Sequence, residues 1–600
     1  MGSPDRPGPV ARAAVSRSLV RCGPARKPRP RRDAAMKLDG PGPHLFALPP
    51  GVDFGAELIR GLEQRMTGAP PEAWGRLTLF VNSGRMERHL RGLFDSGPPR
   101  LLPRIRLIDS LSSDPVPGDP PPATPLARRL ELMRLVAELL AQDPDLAPRS
   151  ALYDLTDSLA ALLDEIEVEG VAPGTLAGLG AAEASAHWQI ALRFLGIVEQ
   201  LHSGDTPGPL GRLRQRAQAL AKAWTDAPTP DPILVAGSTG SRGATAVFLR
   251  AVARLPRGAV VLPGFDRDLP EAVWDTLGNA AEDHPQARFK PLMDALHLTP
   301  PQVRPWTETA PANPARNRLV SLSLRPAPVT DAWLSEGRDI DPAAAAHGLT
   351  LIAAPSPRSE AETIALGLSS AAAEGRTAAL ITPDRTLARR VAAALDRWDV
   401  APDDSGGEPL SLSPPGRFLR HVQDLAAGRA TAPALLALLK HPLCHFGANR
   451  NAHLLATRQL ELRLRRHGPA HPDPAALRDW AEMPGAPSDW ALWLADQLGR
   501  LPAPARRPVP DQIGSLRAVA ETLSAGPDGA VTLWDTAAGR DLREVCDSLA
   551  AHGAAAGPLH PADFAALLDG VLARTQVRRP DRGDPRILIW GTLESRVQGA

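Results

Sequence analysis

The chain has very little lysine, tyrosine or cysteine, and the shortages of lysine and cysteine narrow its chemistry before any motif is sought. Only five lysines occur, at Lys27, Lys37, Lys222, Lys290 and Lys440. A phosphate-binding P-loop needs Gly-Lys followed by Ser or Thr, because the lysine reaches the β- and γ-phosphates and the hydroxyl holds magnesium. None of the five follows a glycine, so these residues contain no such loop. A nuclease of the acid-x-Lys kind needs a carboxylate two positions before a lysine, where the acids hold a metal and the lysine polarises the attacked group. Those positions hold Ala25, Ala35, Leu220, Arg288 and Leu438, and none is an acid. The three cysteines, Cys22, Cys444 and Cys546, form no CxxC pair. That spacing argues against zinc, iron–sulfur and disulfide frameworks and for a reducing, cytoplasmic setting. There is no GxSxG or HExxH motif, and no apolar run approaches the ~18–20 residues of a membrane span.

What is present is a chain of 600 residues rich in Ala, Pro, Gly and Arg, 43% apolar and 22% charged. That length implies two to four domains. The net charge of +1 gives no global pull toward nucleic acid, so any DNA-binding surface has to be a local arginine stripe. Residues 1–35 form an Arg- and Pro-rich arm before Met36 and are expected to be a disordered tail or an early start, outside the fold.

Periodicity gives the architecture. Residues 44–62 read as a strand, a Pro-Gly turn and a helix. Residues 77–94 repeat the plan, with a turn at Asn82-Ser83-Gly84, and 101–108 read as a third strand. Alternating strands and helices with short turns predict a parallel α/β sheet. The pattern is helical over 126–224 and returns to α/β in 233–266, ILVAGSTGSRGATAVFLRAVARLPRGAVVLPGFD. That stretch has the layout of a nucleotide site without its lysine or its acid. A Pro-rich linker over 300–342 precedes a second unit: strand 349–353, helix 359–374, strand 377–382 and helix 385–398. Residues 423–574 are helical, and a last strand lies in the segment starting at Arg586. A strand so near Ala600 suggests that the native chain runs on. The boundaries expected are 36–125 and 230–325 for the first core, 126–229 for its insertion, 326–347 for the linker, 348–422 and 586–600 for the second core, and 423–585 for its insertion. The acid pair Asp164-Glu165 is placed on a solvated helix face, because Leu155, Leu159, Leu162, Leu163 and Ile166 recur at helical spacing.

This α/β class with two interrupted cores resembles the superfamily 1 helicases, which carry two RecA-like cores, each with a helical insertion. The segments HLFALPPGVDFGAEL, LTLFVNSGRMERHLRGLF, LLPRIRLI, LLDEIEVEG and ILVAGSTGSRGAT resemble the AddB subunits of alphaproteobacterial AddAB helicase–nucleases. So do VVLPGFD, AALITPDRTLARRVAAALDRW, DDSGGEPLSLSPPGRFL, LLALLKHPL, ILIWGTLESR and His187-Trp188-Gln189, all in the family's order from Met36 to Ala600. The resemblance implies a helicase-shaped subunit without helicase chemistry, which binds DNA during double-strand break repair by homologous recombination. It implies an AddA-type helicase–nuclease partner that carries ATP and magnesium, and DNA with double-strand ends and single strands as the other partner. The family's nuclease domain and its metal would fall beyond residue 600. The alternative is an active ATP-dependent helicase/exonuclease subunit whose nuclease lies there; a third reading is an interaction protein that touches no DNA.

Within that frame the Walker lysine is replaced at Pro49-Pro50-Gly51, and strand 233–236 takes the place of the strand that would carry the Walker B acid. No residue is assigned a catalytic, cofactor or metal role. The candidate nucleic-acid contacts are Asn82, Ser83, Arg85 and Arg88 at the motif Ia turn, and Ser238, Thr239 and Ser241 on the glycine-rich turn. In the second core they are Thr382, Arg385 and Arg389. Turn amides, hydroxyls and guanidiniums suit phosphate contact, which positions a strand without reading its sequence. Asp384 is expected to cap its helix, His441-Pro442 to end one, and Trp188 and Trp398 to pack or to stack on bases.

Overall fold

The computed structural model describes residues 36–597 except 39–40, 115–123, 172–174, 176–207, 242, 279–280, 429, 448, 503, 526–528, 579–582 and 593. The arm of residues 1–35 and the segment with His187, Trp188 and Gln189 lie outside the described residues.

Six short apolar runs form the first sheet: β1 (Leu45–Ala47), β2 (Thr78–Val81), β3 (Arg104–Leu107), β4 (Ile233–Ala236), β5 (Gly258–Leu262) and β6 (Arg304–Pro305). Their order is β3-β2-β4-β5-β1-β6, and every pairing is parallel. A parallel sheet is covered on both faces, so its central strands are apolar throughout. Side chains alternate between the faces. Leu45, Ala47, Val235 and Val260 enter one core beside Phe248 and Trp274. Phe46, Leu234, Ala236 and Val261 enter the other beside Leu58, Leu62 and Trp306. The chain leaves β2 toward β3 and leaves β4 toward β5, in opposite directions. A crevice therefore opens between the carboxyl ends of β2 and β4, where open α/β sheets bind ligands.

Side-chain caps start the helices that follow. Asp53 Oδ1 accepts from the Ala56 amide at 3.0 Å before the helix Phe54–Arg65. Ser83 Oγ accepts from the Met86 amide at 3.2 Å before Gly84–Asp95. Each satisfies one amide that the first turn leaves unpaired.

The two helical stretches, expected as separate insertions, share one core. Leu130, Leu159 and Leu163 from the helices Pro125–Gln142 and Leu152–Glu169 pack with Phe418, Leu439, Ile513 and Leu568. Arg149 pairs with Asp563 at 3.0 Å across this junction. Tyr153 lies flush on Gly570, where a Cβ would stand 2.2 Å from its ring. An apolar stripe at helical spacing demands a cover but does not name it, so the sequence pattern could not reveal this pairing. The helix Pro209–Asp226 packs instead on the first sheet through Leu213 and Ala217. Asp164 is half-buried and pairs with Arg128 at 3.2 Å, while Glu165 is exposed.

The second sheet is small. β7 (Ala378–Ile381) and β8 (Pro402–Asp404) flank a late strand, Asp584–Trp590, which lies between them and parallel to both. Between them in sequence, β9 (Glu408–Pro409) pairs with β12 (Gln576–Val577) and β10 (Arg507–Pro508) with β11 (Pro558–Leu559), before β13 (Asp584–Trp590). The helices Pro357–Ala373 and Arg385–Leu395 cover one side through Ala365, Leu368 and Val391.

Two expectations are corrected here. Residues 349–353, read as the first strand of this sheet, join no strand among the described residues, and Leu351 is 96% exposed. Their composition favours a strand, but a strand exists only where a neighbouring edge accepts it. The Pro-rich stretch 300–342 is not all linker: β6 within it completes the first sheet, and Ala332–Ser335 is a short helix. The chain is a mixed α/β protein built on a six-stranded parallel sheet and many helices.

Candidate nucleic-acid interface

The two sheets meet at the β2–β4 crevice. After β13 the chain turns through Glu594–Arg596 and places Val597, 0% exposed, in the first sheet's core with Val81 and Ala236. Gly237 has φ +80° and leaves room for this residue; a Cβ there would lie 3.0 Å from Val597 Cγ1. The same Cβ would lie 3.3 Å from Asn82 Oδ1, a buried oxygen with no hydrogen-bond partner among the described residues. The crevice is thus filled from the second sheet, and Asn82 lies beside it.

The candidate arginines of the two sheets converge on β8. Arg85, in the first turn after β2, donates from Nη2 to Asp403 Oδ1 at 2.6 Å, and its side chain is only 11% exposed. Arg385 donates to both carboxylate oxygens of Asp404, at 3.0 and 2.6 Å, and to the Gly407 carbonyl at 3.1 Å. Arg85 and Arg385, two of the candidate contacts, are thus each held by a carboxylate of β8. A bidentate carboxylate is a strong partner for a guanidinium, and β8 ends on two of them. Arg88 and Arg389 remain exposed. With Arg578 they line a cleft of about 280 Å³ closed by Asp403, Asp404 and Glu408. Candidates from two distant parts of the chain thus reach one cleft, but acids moderate its charge.

The remaining candidates are occupied locally. Ser83 caps its helix. Thr382 is buried, and its hydroxyl accepts from the Asp384 amide at 3.0 Å. Asp384 caps the next helix by accepting from the Thr386 amide at 2.7 Å, and such backbone bonds hold its carboxyl below the usual range. On the glycine-rich turn, Ser238 Oγ accepts from Gly240 N at 3.3 Å, and Thr239 donates to Ser241 Oγ at 3.2 Å. The first amide of the helix Gly243–Arg254 is not open to a phosphate. Glu169 Oε1 already accepts from Gly243 N at 2.9 Å, placing a carboxylate where the helix dipole would attract an anion. Trp398 is 43% exposed, with Arg397 beside its ring; Trp188 lies outside the described residues.

The β1 turn is closed to phosphate in a similar way. Pro49 and Pro50 have no N–H to donate, Gly51 turns with φ +81°, and Asp53 holds its carboxylate at the helix start. This turn forms one wall of a cavity of about 550 Å³, completed by Thr239, Pro263-Gly264, Gln286, Phe289 and Arg596. Sequence reasoning did not find Glu169, Asp403, Asp404, Arg578 or Arg596. The Asp403-Asp404 pair is visible as adjacent charge, but its partners come from other elements.

Among the described residues no group of three or more His, Cys, Asp or Glu is arranged to hold a metal, and no helix is long and apolar enough to cross a membrane. No family model matches the chain, and no curated protein matches it.

Proposed function

We propose that the chain is a DNA-binding scaffold shaped like a superfamily 1 helicase but without ATP chemistry. It would act as an AddB-type subunit beside an AddA-type motor in double-strand break repair by homologous recombination. The observation that carries the reading is the β1 turn: a helix-start turn on a parallel sheet, in the place of a phosphate loop, with two prolines and a carboxylate. Strand β4 supports it, because Gly237 and Ser238 follow where an acid would hold magnesium. The two parallel sheets fit a pair of RecA-like cores, and the arginine cleft between them fits a single strand's backbone.

The purified chain is expected to show no DNA-stimulated ATP hydrolysis and to retard single-stranded DNA at low salt. The double variant Arg88→Glu/Arg389→Glu should weaken that binding by about tenfold or more and flatten its salt dependence, since each lost phosphate contact removes counterion release. ATP turnover that co-purifies with the chain would overturn the first expectation, and unchanged DNA affinity in the double variant the second. The pairing of Arg85 and Arg385 with aspartates favours a second reading, an interaction protein that touches no DNA. That reading prevails if neither the chain nor its complex with an AddA-type partner retards DNA at low salt.

A further inference from the structure

The 550 Å³ cavity at the carboxyl ends of β1 and β5 is unsuited to a triphosphate, yet its walls are built for something smaller. Its size falls within the roughly 300–1,000 Å³ range of small-molecule sites. Pro49, Pro50, Pro263, Pro285 and Phe289 give it rigid apolar faces, the kind of surface on which a planar ring packs. Asp53 contributes an acceptor-only carboxylate with lone pairs left after it caps its helix.

The positive charge comes from the other sheet. Arg596 is carried on the turn that Val597 anchors in the first sheet's core, so its approach is fixed by packing. Among the described residues it makes no ion pair, with Asp53 or with any other acid. Burial and the neighbouring Arg288, also without an acid partner there, both lower its affinity for a proton. A guanidinium in a cavity wall without a carboxylate partner is relieved by an anion, and a phosphate is one that Arg binds well.

We propose that this cavity binds one nucleoside monophosphate unit, its base against the proline-lined β1 turn with an amino edge toward Asp53, and its phosphate at Arg596. The polarity is the reverse of a P-loop site, where phosphate sits at the first turn. The unit is a free nucleotide or one residue of a bound single strand. In the second form the inference rests on the DNA-binding reading above.

The test is calorimetric titration of the whole chain with deoxycytidine and deoxyadenosine monophosphates, the matching nucleosides, and ATP with magnesium. Saturable monophosphate binding is expected, at least tenfold weaker for the nucleosides and no tighter for magnesium-ATP. Arg596→Glu should weaken the monophosphate at least tenfold with an unchanged melting temperature, and Arg596→Lys should weaken it less. Asp53→Asn keeps a good helix cap and should change the preference between the two bases. A short oligonucleotide that displaces the monophosphate identifies a strand residue as the ligand; failure to displace it identifies the free nucleotide. No saturable binding at millimolar concentration overturns the proposal, as does a folded Arg596→Glu that binds normally or ATP that binds more tightly than the monophosphate. If DNA is retarded but no monophosphate binds, only this inference fails. If the monophosphate binds and DNA does not, the DNA-binding reading fails instead.

Discussion

Trp306→Ala should lower unfolding stability by about 3–5 kcal/mol, as large-to-small changes at fully buried aromatics do. β6 is only two residues long, and Trp306 is what fastens its end. Its amide donates to the Ala47 carbonyl of β1 at 3.0 Å. Its indole Nε1 donates to the Leu58 carbonyl at 3.1 Å, and its ring meets Phe46 edge-on at 5.2 Å. The Arg65 guanidinium lies 3.8 Å from the ring and also donates to the Trp306 carbonyl. Truncation would leave a cavity under Arg65 and remove the indole's bond to the Leu58 carbonyl. The helix Phe54–Arg65 approaches this ring at Gly61, where a Cβ would lie 2.2 Å from the indole nitrogen. Gly61→Ala should therefore also destabilise, by about 1–3 kcal/mol through overpacking. Urea unfolding followed by circular dichroism measures both. A loss below about 1 kcal/mol for Trp306→Ala would show that the ring is not the fastener.

Acid should loosen the helical body at a pH where most carboxylates are still charged. His441 is 8% exposed, lies against Phe418 and accepts from the Leu443 amide through Nδ1. Burial, His421 and the guanidiniums of Arg417 and Arg450 push it down from 6.5 to about 4. His453, fully buried, is paired through Nε2 with the Leu439 carbonyl and through Nδ1 with the Trp490 indole N–H. Those partners assign Nε2 as the protonated nitrogen, so a second proton on Nδ1 would break the Trp490 bond. Its affinity for a proton, and those of His421 and His445, are also lowered by burial.

The sign follows from linkage. Above pH 6.5 both folded and unfolded chains hold these rings neutral, and stability is full. As pH falls from 6.5 toward 4 the unfolded chain takes up protons that the folded one refuses, and stability drops. His441 alone accounts for up to about 3 kcal/mol of this. Melting temperature should therefore fall steeply between pH 6.5 and 4. The fluorescence of Trp480, Trp490 and Trp493, packed around this region, should change in the same window. His441→Gln should remove much of the slope. A melting temperature flat across that window would rule out the buried rings as its source.

The elements whose cause is local were legible in the sequence. The runs LTLFV and ILVA became β2 and β4 because they are apolar on both faces. The turn at Asn82-Ser83-Gly84 became a capped helix start, and Asp384 capped the helix that its position predicted. The closed β1 turn was legible too, since proline lacks an N–H in any context. Pairing over distance was not. Arg85 and Asp403 stand 318 positions apart, and nothing in the sequence around either names the other as its partner. Glu169 reads as the last polar residue of a helix until its Oε1 is seen on Gly243. β8 escaped notice because Pro-Asp-Asp has the composition of a loop; its strand geometry is imposed by β13. Residues 349–353 show the converse, a strand-like sequence without an edge to join.

The seat of Val597 also governs when the first sheet can mature during synthesis. Every strand of that sheet has emerged by Pro305, but the residue that fills its crevice follows only after the helical body and the second sheet have been made. A nascent chain halted before that point would present Gly237 and the buried oxygen of Asn82 to water, next to the apolar ends of β2 and β4. Contacts that close so late in the sequence slow folding and prolong the life of sticky intermediates. The chain is therefore expected to depend on chaperones on the ribosome, and truncation just before Glu594 should raise aggregation although β1 to β13 are all kept.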